Sequence, residues 1–162
     1  MHKVVVNSTP LIALASIDKL EILKELYGKV FIPNGVLNEI SVKGDLKLGE
    51  EHIRKCDFIK IKEIRNQQTK KFFRTSLHIG EVEVMILYDE IQADLCIIDD
   101  LLARKYAEHL GLIVTGTLGI LLKAKQKGII FLIKPFLDKL IKNGLYIDDK
   151  LYDQILQIAG ET

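Results

Sequence analysis

The stretch "ADLCIIDDLLARK" (residues 93–105) passes from a short apolar run at 95–98 through two adjacent acids, Asp99 and Asp100, into an amphipathic segment. A near-continuous apolar run of this length predicts a strand covered on both faces, and such strands belong to parallel sheets wrapped by helices. The two acids then stand at the carboxyl end of a strand, where ligands bind in open α/β sheets because loops and helix N-termini converge there. Two roles are open to them. Asp99 can cap the helix that follows, with Asp100 favoured by the helix dipole in the first turn, or both carboxylates can belong to a metal site.

Working outward, the same alternation of β-branched runs and amphipathic segments extends over the chain. It predicts strands over 3–6, 29–32, 58–61, 95–98 and 112–114. The third, whose isoleucines alternate with lysines, suits a sheet edge. Thr9 is placed to cap a first helix with Pro10 at its first position. Leu20, Leu23 and Leu26 lay an apolar stripe on the next, which ends near Gly28. Further helices are expected over 33–40, 49–55, 79–91, 100–110 and 118–127, and a helical tail over 133–143 and 149–159. Val82, Met85 and Ile86 supply the buried stripe of the 79–91 helix; Glu81 borders it, and Glu83 and Asp89 are expected on a solvated face. Residues 63–80, "EIRNQQTKKFFRTSLHIG", read as a basic loop with two phenylalanines.

Composition narrows the function. With 162 residues, 48% of them hydrophobic, the chain can bury one substantial core, which argues against disorder. Its 23 basic and 22 acidic residues nearly cancel. A protein that holds nucleic acid through an all-over positive field is therefore disfavoured, although a local basic face is not. Cys56 and Cys96 are too few for a disulfide framework and lack zinc-ligand spacing, so both are expected as buried thiols in a reducing cytosol. There is no signal-peptide pattern, and no apolar run reaches the ~18–20 residues that span a bilayer. A soluble, cytoplasmic protein without membrane partners is the expectation.

The acids carry the chemistry. Asn7 follows the first strand, Asp99 and Asp100 follow the fourth, Glu39 lies on the helix after the second, and Glu81 opens the helix leading into the fourth. Gathered at one sheet edge, Glu39, Glu81, Asp99 and Asp100 would repel one another unless a cation neutralised them. Mg²⁺ or Mn²⁺ takes oxygen ligands, keeps waters and suits phosphodiester hydrolysis. Other α/β chemistries lack their motifs: neither GxxxxGK[ST] nor GxGxxG is present. "NSTP" after the first strand offers no nucleophilic aspartate, and His2, His52, His78 and His109 are scattered, so covalent catalysis has no support.

Residues 4–40, "VVVNSTPLIALASIDKLEILKELYGKVFIPNGVLNEI", and 78–130, with the GE helix, the IDD turn and "GTLG" in order, resemble the PIN-domain family, and more closely its VapC-like branch of small prokaryotic proteins. The resemblance implies a three-layer α/β/α PIN-like fold, with a central parallel sheet in the order 3-2-1-4-5 and a C-terminal helical tail. Residues 1–130 would form the PIN-like domain and 131–162 helices packed on it. It also implies a Mg²⁺- or Mn²⁺-dependent endoribonuclease that hydrolyses RNA with a metal-activated water, the toxin of a toxin–antitoxin pair. The implied partners are RNA, a small antitoxin protein and a second copy in a homodimer.

Carried over by position, Asn7, Glu39, Glu81, Asp99 and Asp100 would hold the metal, with Glu39, Glu81 and Asp100 as catalytic residues. Asn7 departs from the family, which usually places an acid there. Its amide oxygen can ligate a hard cation but adds no charge. The alternative is a catalytically degenerate PIN domain that binds nucleic acid or a protein partner without cleaving. Ser8, Thr9, Arg104, Thr115 and Thr117 are the candidate substrate contacts. Lys70, Lys71 and Arg74 around Phe72 and Phe73, and Lys123, Lys125 and Lys127, form basic runs that suit single-stranded RNA or simply a solvated surface.

Overall fold

Five short strands, β1 (Val4–Val6), β2 (Val30–Ile32), β3 (Ile59–Ile61), β4 (Leu95–Ile97) and β5 (Val114–Thr115), form one sheet in this computed structural model, which describes residues 2–72 and 77–162. All neighbours pair in parallel, in the order β3-β2-β1-β4-β5. The order implied by the family resemblance is the order found. Val4, Val5 and Val6 are fully buried, as a central strand covered on both faces requires, whereas Lys60 of the edge strand β3 is exposed. The strand ends differ slightly from expectation. The Lys3 N–H donates to the Asp94 carboxylate, outside the ladder, and the Leu112 N–H returns to Ala107 O to close a helix end, so β1 and β5 begin later.

The helices are α1 (Ser8–Ser16), α2 (Ile22–Tyr27), α3 (Asn34–Lys43), α4 (Glu50–Lys55), α5 (Ile79–Glu90), α6 (Leu101–His109), α7 (Thr117–Gln126), α8 (Lys134–Lys142) and α9 (Asp149–Ala159). The 63–80 loop contains a 3₁₀ turn over Gln67–Phe72. Phe73, Arg74 and the Phe72 side chain, which entered the basic-aromatic reading, lie outside the described residues. Thr9 does not cap α1. Asn7 is the N-cap in extended conformation, and Thr9 and Pro10 fall inside the first turn, where a missing N–H is still tolerated.

Register determines where the site can be. Val6 lies opposite Ile97, and Ile97 opposite Thr115, so Asn7, the Asp99–Asp100 turn and Gly116 leave the sheet at the same edge. Helix α5, the crossover into β4, runs back antiparallel to the strands and brings its N-terminus to that edge. It packs against β1 and β4 on one side and α3 on the other. Every residue from Gly80 to Leu87 is consequently buried.

That corrects the expectation for Glu83, which is 4% exposed. Its carboxylate accepts from the Gly35 N–H at 2.9 Å and pairs with Lys70 Nζ at 2.7 Å. Helices α3 and α5 cross at two glycines; a Cβ on Gly35 would stand 3.2 Å from Gly80 Cα. Neither position has room for a larger residue without movement.

At the other end of the chain, α8 begins at Ile133, which offers no side-chain cap. Glu161 supplies one from beyond α9, accepting from the Ile133 and Lys134 N–H groups at 2.8 and 3.0 Å and from Lys125 Nζ at 2.8 Å. Among the described residues no helix is long and apolar enough to cross a membrane. Both cysteines are free thiols; Cys96 is buried as expected, but Cys56 only half-buried.

Candidate functional site

The two aspartates depart from the capping roles expected of them. Asp100, not Asp99, is the N-cap of α6, its Oδ2 accepting from the Ala103 N–H at 2.9 Å, and the residue is exposed. Asp99 turns toward α7: Oδ1 accepts from the Thr117 N–H at 2.7 Å and Oδ2 from Thr117 Oγ1 at 2.6 Å. It does for α7 what the Gly116 N-cap, lacking a side chain, cannot. Glycine at 116 is required for this approach, because a Cβ there would lie 2.7 Å from both Asp99 Oδ1 and Arg104 Nη1.

Glu39 and Glu81 meet at the start of α5. Glu81 is 4% exposed and reaches back to its own helix end, Oε1 accepting from the His78 N–H at 2.9 Å and lying 3.3 Å from His78 Nδ1. The Glu39 side chain, 18% exposed, lies against Gly80, where a Cβ would collide with Oε1; Oε2 stands 3.7 Å from Lys43 Nζ. Burial pushes the Glu39 pKa up, Lys43 opposes this, and the neighbouring Glu81 charge adds to it. The charges acting on Glu39 are Lys43, Glu81 and His78, and neither aspartate is among them.

Asn7, 3% exposed, is seated between β1 and α1, its N–H donating to Ile97 O at 3.0 Å. Two side-chain atoms among the described residues are buried without a hydrogen-bond partner: Asn7 Oδ1 and Glu39 Oε1. Buried acceptors left this way call for a cation or a water. No three His, Cys, Asp or Glu side chains among the described residues form a group able to hold a metal ion; Glu81 acts on Glu39, whereas Asp99 and Asp100 turn to different helices. The donors at Asn7, Glu39 and Glu81 are all oxygen, and with two acceptors unsatisfied they fit a hard divalent cation by chemistry.

Of the substrate candidates, Ser8 is buried at the first position of α1 and Thr9 is exposed beside it. Thr115 Oγ1 packs where a Cβ on Gly119 would stand, and Thr117 is committed to Asp99. Arg104 is half-buried, and its side chain has no hydrogen bond or ion pair among the described residues. The basic runs are largely used internally. Lys70 neutralises Glu83, Lys123 lies 4.9 Å from the centre of the Tyr27 ring, and Lys125 bonds Glu161. Burial pushes the Cys96 thiol up to about 12, which leaves it unionised and unsuited to nucleophilic work.

Sequence reasoning missed Glu83 and its partners. The signal was present in "VEVMIL", apolar on every side of the helix, a pattern of full burial that leaves no solvated face. A search of curated proteins gives no match. A family model described as a PIN domain, a nuclease-type fold, matches residues 3–161. With nearly the whole chain matched and the five-stranded parallel sheet in the expected order, this protein belongs to the PIN-domain family.

Proposed function

We propose that this chain is a divalent-metal-dependent endoribonuclease of PIN type, with its site at the carboxyl edge of the sheet, and that it acts as the toxin of a toxin–antitoxin pair in the VapC-like branch. The observation that carries the reading is the pair of buried, partnerless oxygens at that edge, Asn7 Oδ1 and Glu39 Oε1. In this reading Glu39, Glu81 and Asp100 would hold Mg²⁺ or Mn²⁺, with Asn7 and Asp99 as supporting donors, and Asp100 would have to approach the Glu39–Glu81 pair on binding, because no three acids meet among the described residues. When bound, the cation supplies a nucleophile at neutral pH and neutralises phosphodiester charge. The protein's own contribution is to fix those oxygens: the His78 N–H orients Glu81, Gly80 makes room for Glu39, and the Ala103 N–H holds Asp100.

The test is Mn²⁺-dependent cleavage of RNA by purified protein. Asp100→Asn should lower turnover by at least about 10–100-fold. It should leave the melting temperature near wild type, because asparagine is as good an N-cap as aspartate. Undiminished turnover would remove Asp100 from the site.

A second reading, binding of nucleic acid or a protein without cleavage, is favoured by two observations: the residue after β1 is the neutral Asn7, and both Asp99 oxygens are taken by Thr117. It expects RNA or partner binding that survives EDTA, with no metal-dependent product. We further propose that residues 131–162 belong to one folding unit with residues 1–130, supported by the Glu161 contacts to α7 and α8.

A further inference from the structure

Beside the Asp99 turn, α6, the start of α7 and the loop joining α8 to α9 enclose a groove of about 410 Å³. Leu118, Leu145, Ile147 and Leu151 give it an apolar lining. On its rim Tyr146 is 86% exposed and Leu101 68% exposed. The exposed tyrosine ring offers a flat face on which a base can stack. Arg104 and Lys105 also line the groove, and neither has an ion pair or hydrogen bond through its side chain among the described residues. Glu108, one helical turn away, does not pair with Arg104. The guanidinium is instead seated against the Gly116 backbone, within the space a Cβ would take.

We infer that this groove receives a single-stranded segment of the RNA, with a base stacked on Tyr146 and the adjoining phosphates met by Arg104 and Lys105. The inference rests on the nuclease reading of the neighbouring edge. Three features select RNA over a peptide as occupant. An exposed ring in a groove that also presents two cations matches the repeat of base and phosphate, although Asp99 and Glu108 share that lining. The groove runs into Asp99 and Thr117 and so continues the candidate site. Elsewhere Lys70, Lys123 and Lys125 are committed to internal partners, whereas the two cations here are not.

The experiment is fluorescence anisotropy in EDTA with a labelled oligo(U) of about ten nucleotides, a length suited to one stacking groove. Tyr146→Ala should weaken binding by about 5–150-fold, the range that loss of one base–aromatic stack spans, while Tyr146→Phe keeps near-wild-type affinity. Arg104→Gln should reduce the slope of log affinity against log salt by about 0.7. Because Tyr146 is almost wholly exposed, its variants should melt with wild type, which checks the fold.

Wild-type affinity in Tyr146→Ala would overturn the groove and is the result expected if a protein segment occupies it. Absence of any RNA binding by wild type overturns it as well. Incubating the same oligonucleotide with Mn²⁺ separates the two readings. Tyr146-dependent binding without a metal-dependent product keeps the groove and rejects cleavage, and cleavage unaffected by Tyr146→Ala does the reverse.

Discussion

The most telling residue is Glu39. Its carboxylate is largely withdrawn from solvent where α3 packs on α5, acted on by the Glu81 charge, and left with Oε1 unpartnered. Such an arrangement costs stability and is kept where function depends on it. The sign of the pH effect follows from the direction of the shift. Folding raises the Glu39 pKa above its ordinary 4.5, so the penalty is absent below that value, grows as pH rises through the interval, and is complete above the folded pKa. Glu39→Gln should therefore melt above wild type at neutral pH, with the difference closing below pH 4.5, as followed by thermal melts across pH. Added Mn²⁺ should reverse the order. At about a hundred times its Kd the cation adds about 2.7 kcal/mol to wild type and little to the variant. A wild type unmoved by Mn²⁺ would sever Glu39 from metal binding.

At the scale of elements, the contact that positions the site is the α3–α5 crossing. Glycines at 35 and 80 let the two helices approach, and Glu83 ties the first turn of α3 to α5 and, through Lys70, to the 3₁₀ turn. Glu83→Ala leaves the buried Gly35 N–H without an acceptor and should cost about 1–3 kcal/mol in urea unfolding. Lys70, partly exposed, can turn to solvent and adds less. Because α3 carries Glu39, the same variant should also weaken Mn²⁺ binding. Unchanged stability would mean that Glu83 is dispensable to the crossing. The burial of Glu83 was legible in the all-round apolar "VEVMIL", but its partners were not, since Gly35 and Lys70 come from elements distant in sequence.

For the whole molecule, the last residues close on the middle of the chain. Glu161 caps α8 and bonds Lys125 of α7 with a side chain only 6% exposed. Burial pushes its pKa up, but Lys125 and the Ile133 and Lys134 N–H groups outweigh this and hold it below 4.5. This stabilisation is present above the unfolded value of 4.5 and is lost as pH falls through the folded pKa. Glu161→Ala should destabilise the entire protein by about 1–3 kcal/mol above that range, in a single unfolding transition. Two separated transitions would show that residues 131–162 fold apart from the rest.

The sequence by itself determined the sheet. Runs such as "VVV" and "LCII" read as strands covered on both faces, and the amphipathic segments between them as parallel crossovers, so a parallel sheet and the edge carrying Asn7, Asp99 and Asp100 were legible, while the order 3-2-1-4-5 came from the resemblance to the PIN-domain family. Which carboxylate does what was decided only by tertiary structure. Asp99 and Asp100 are identical in type and adjacent in the chain, and opposite in direction because one faces α7 across β5 while the other caps its own helix. Likewise Lys70 and Lys125 read as surface charge until Glu83 and Glu161, distant in sequence, arrive to meet them. Periodicity records the face a residue is on; only packing records the partner, because partners come from elements whose approach no local pattern encodes.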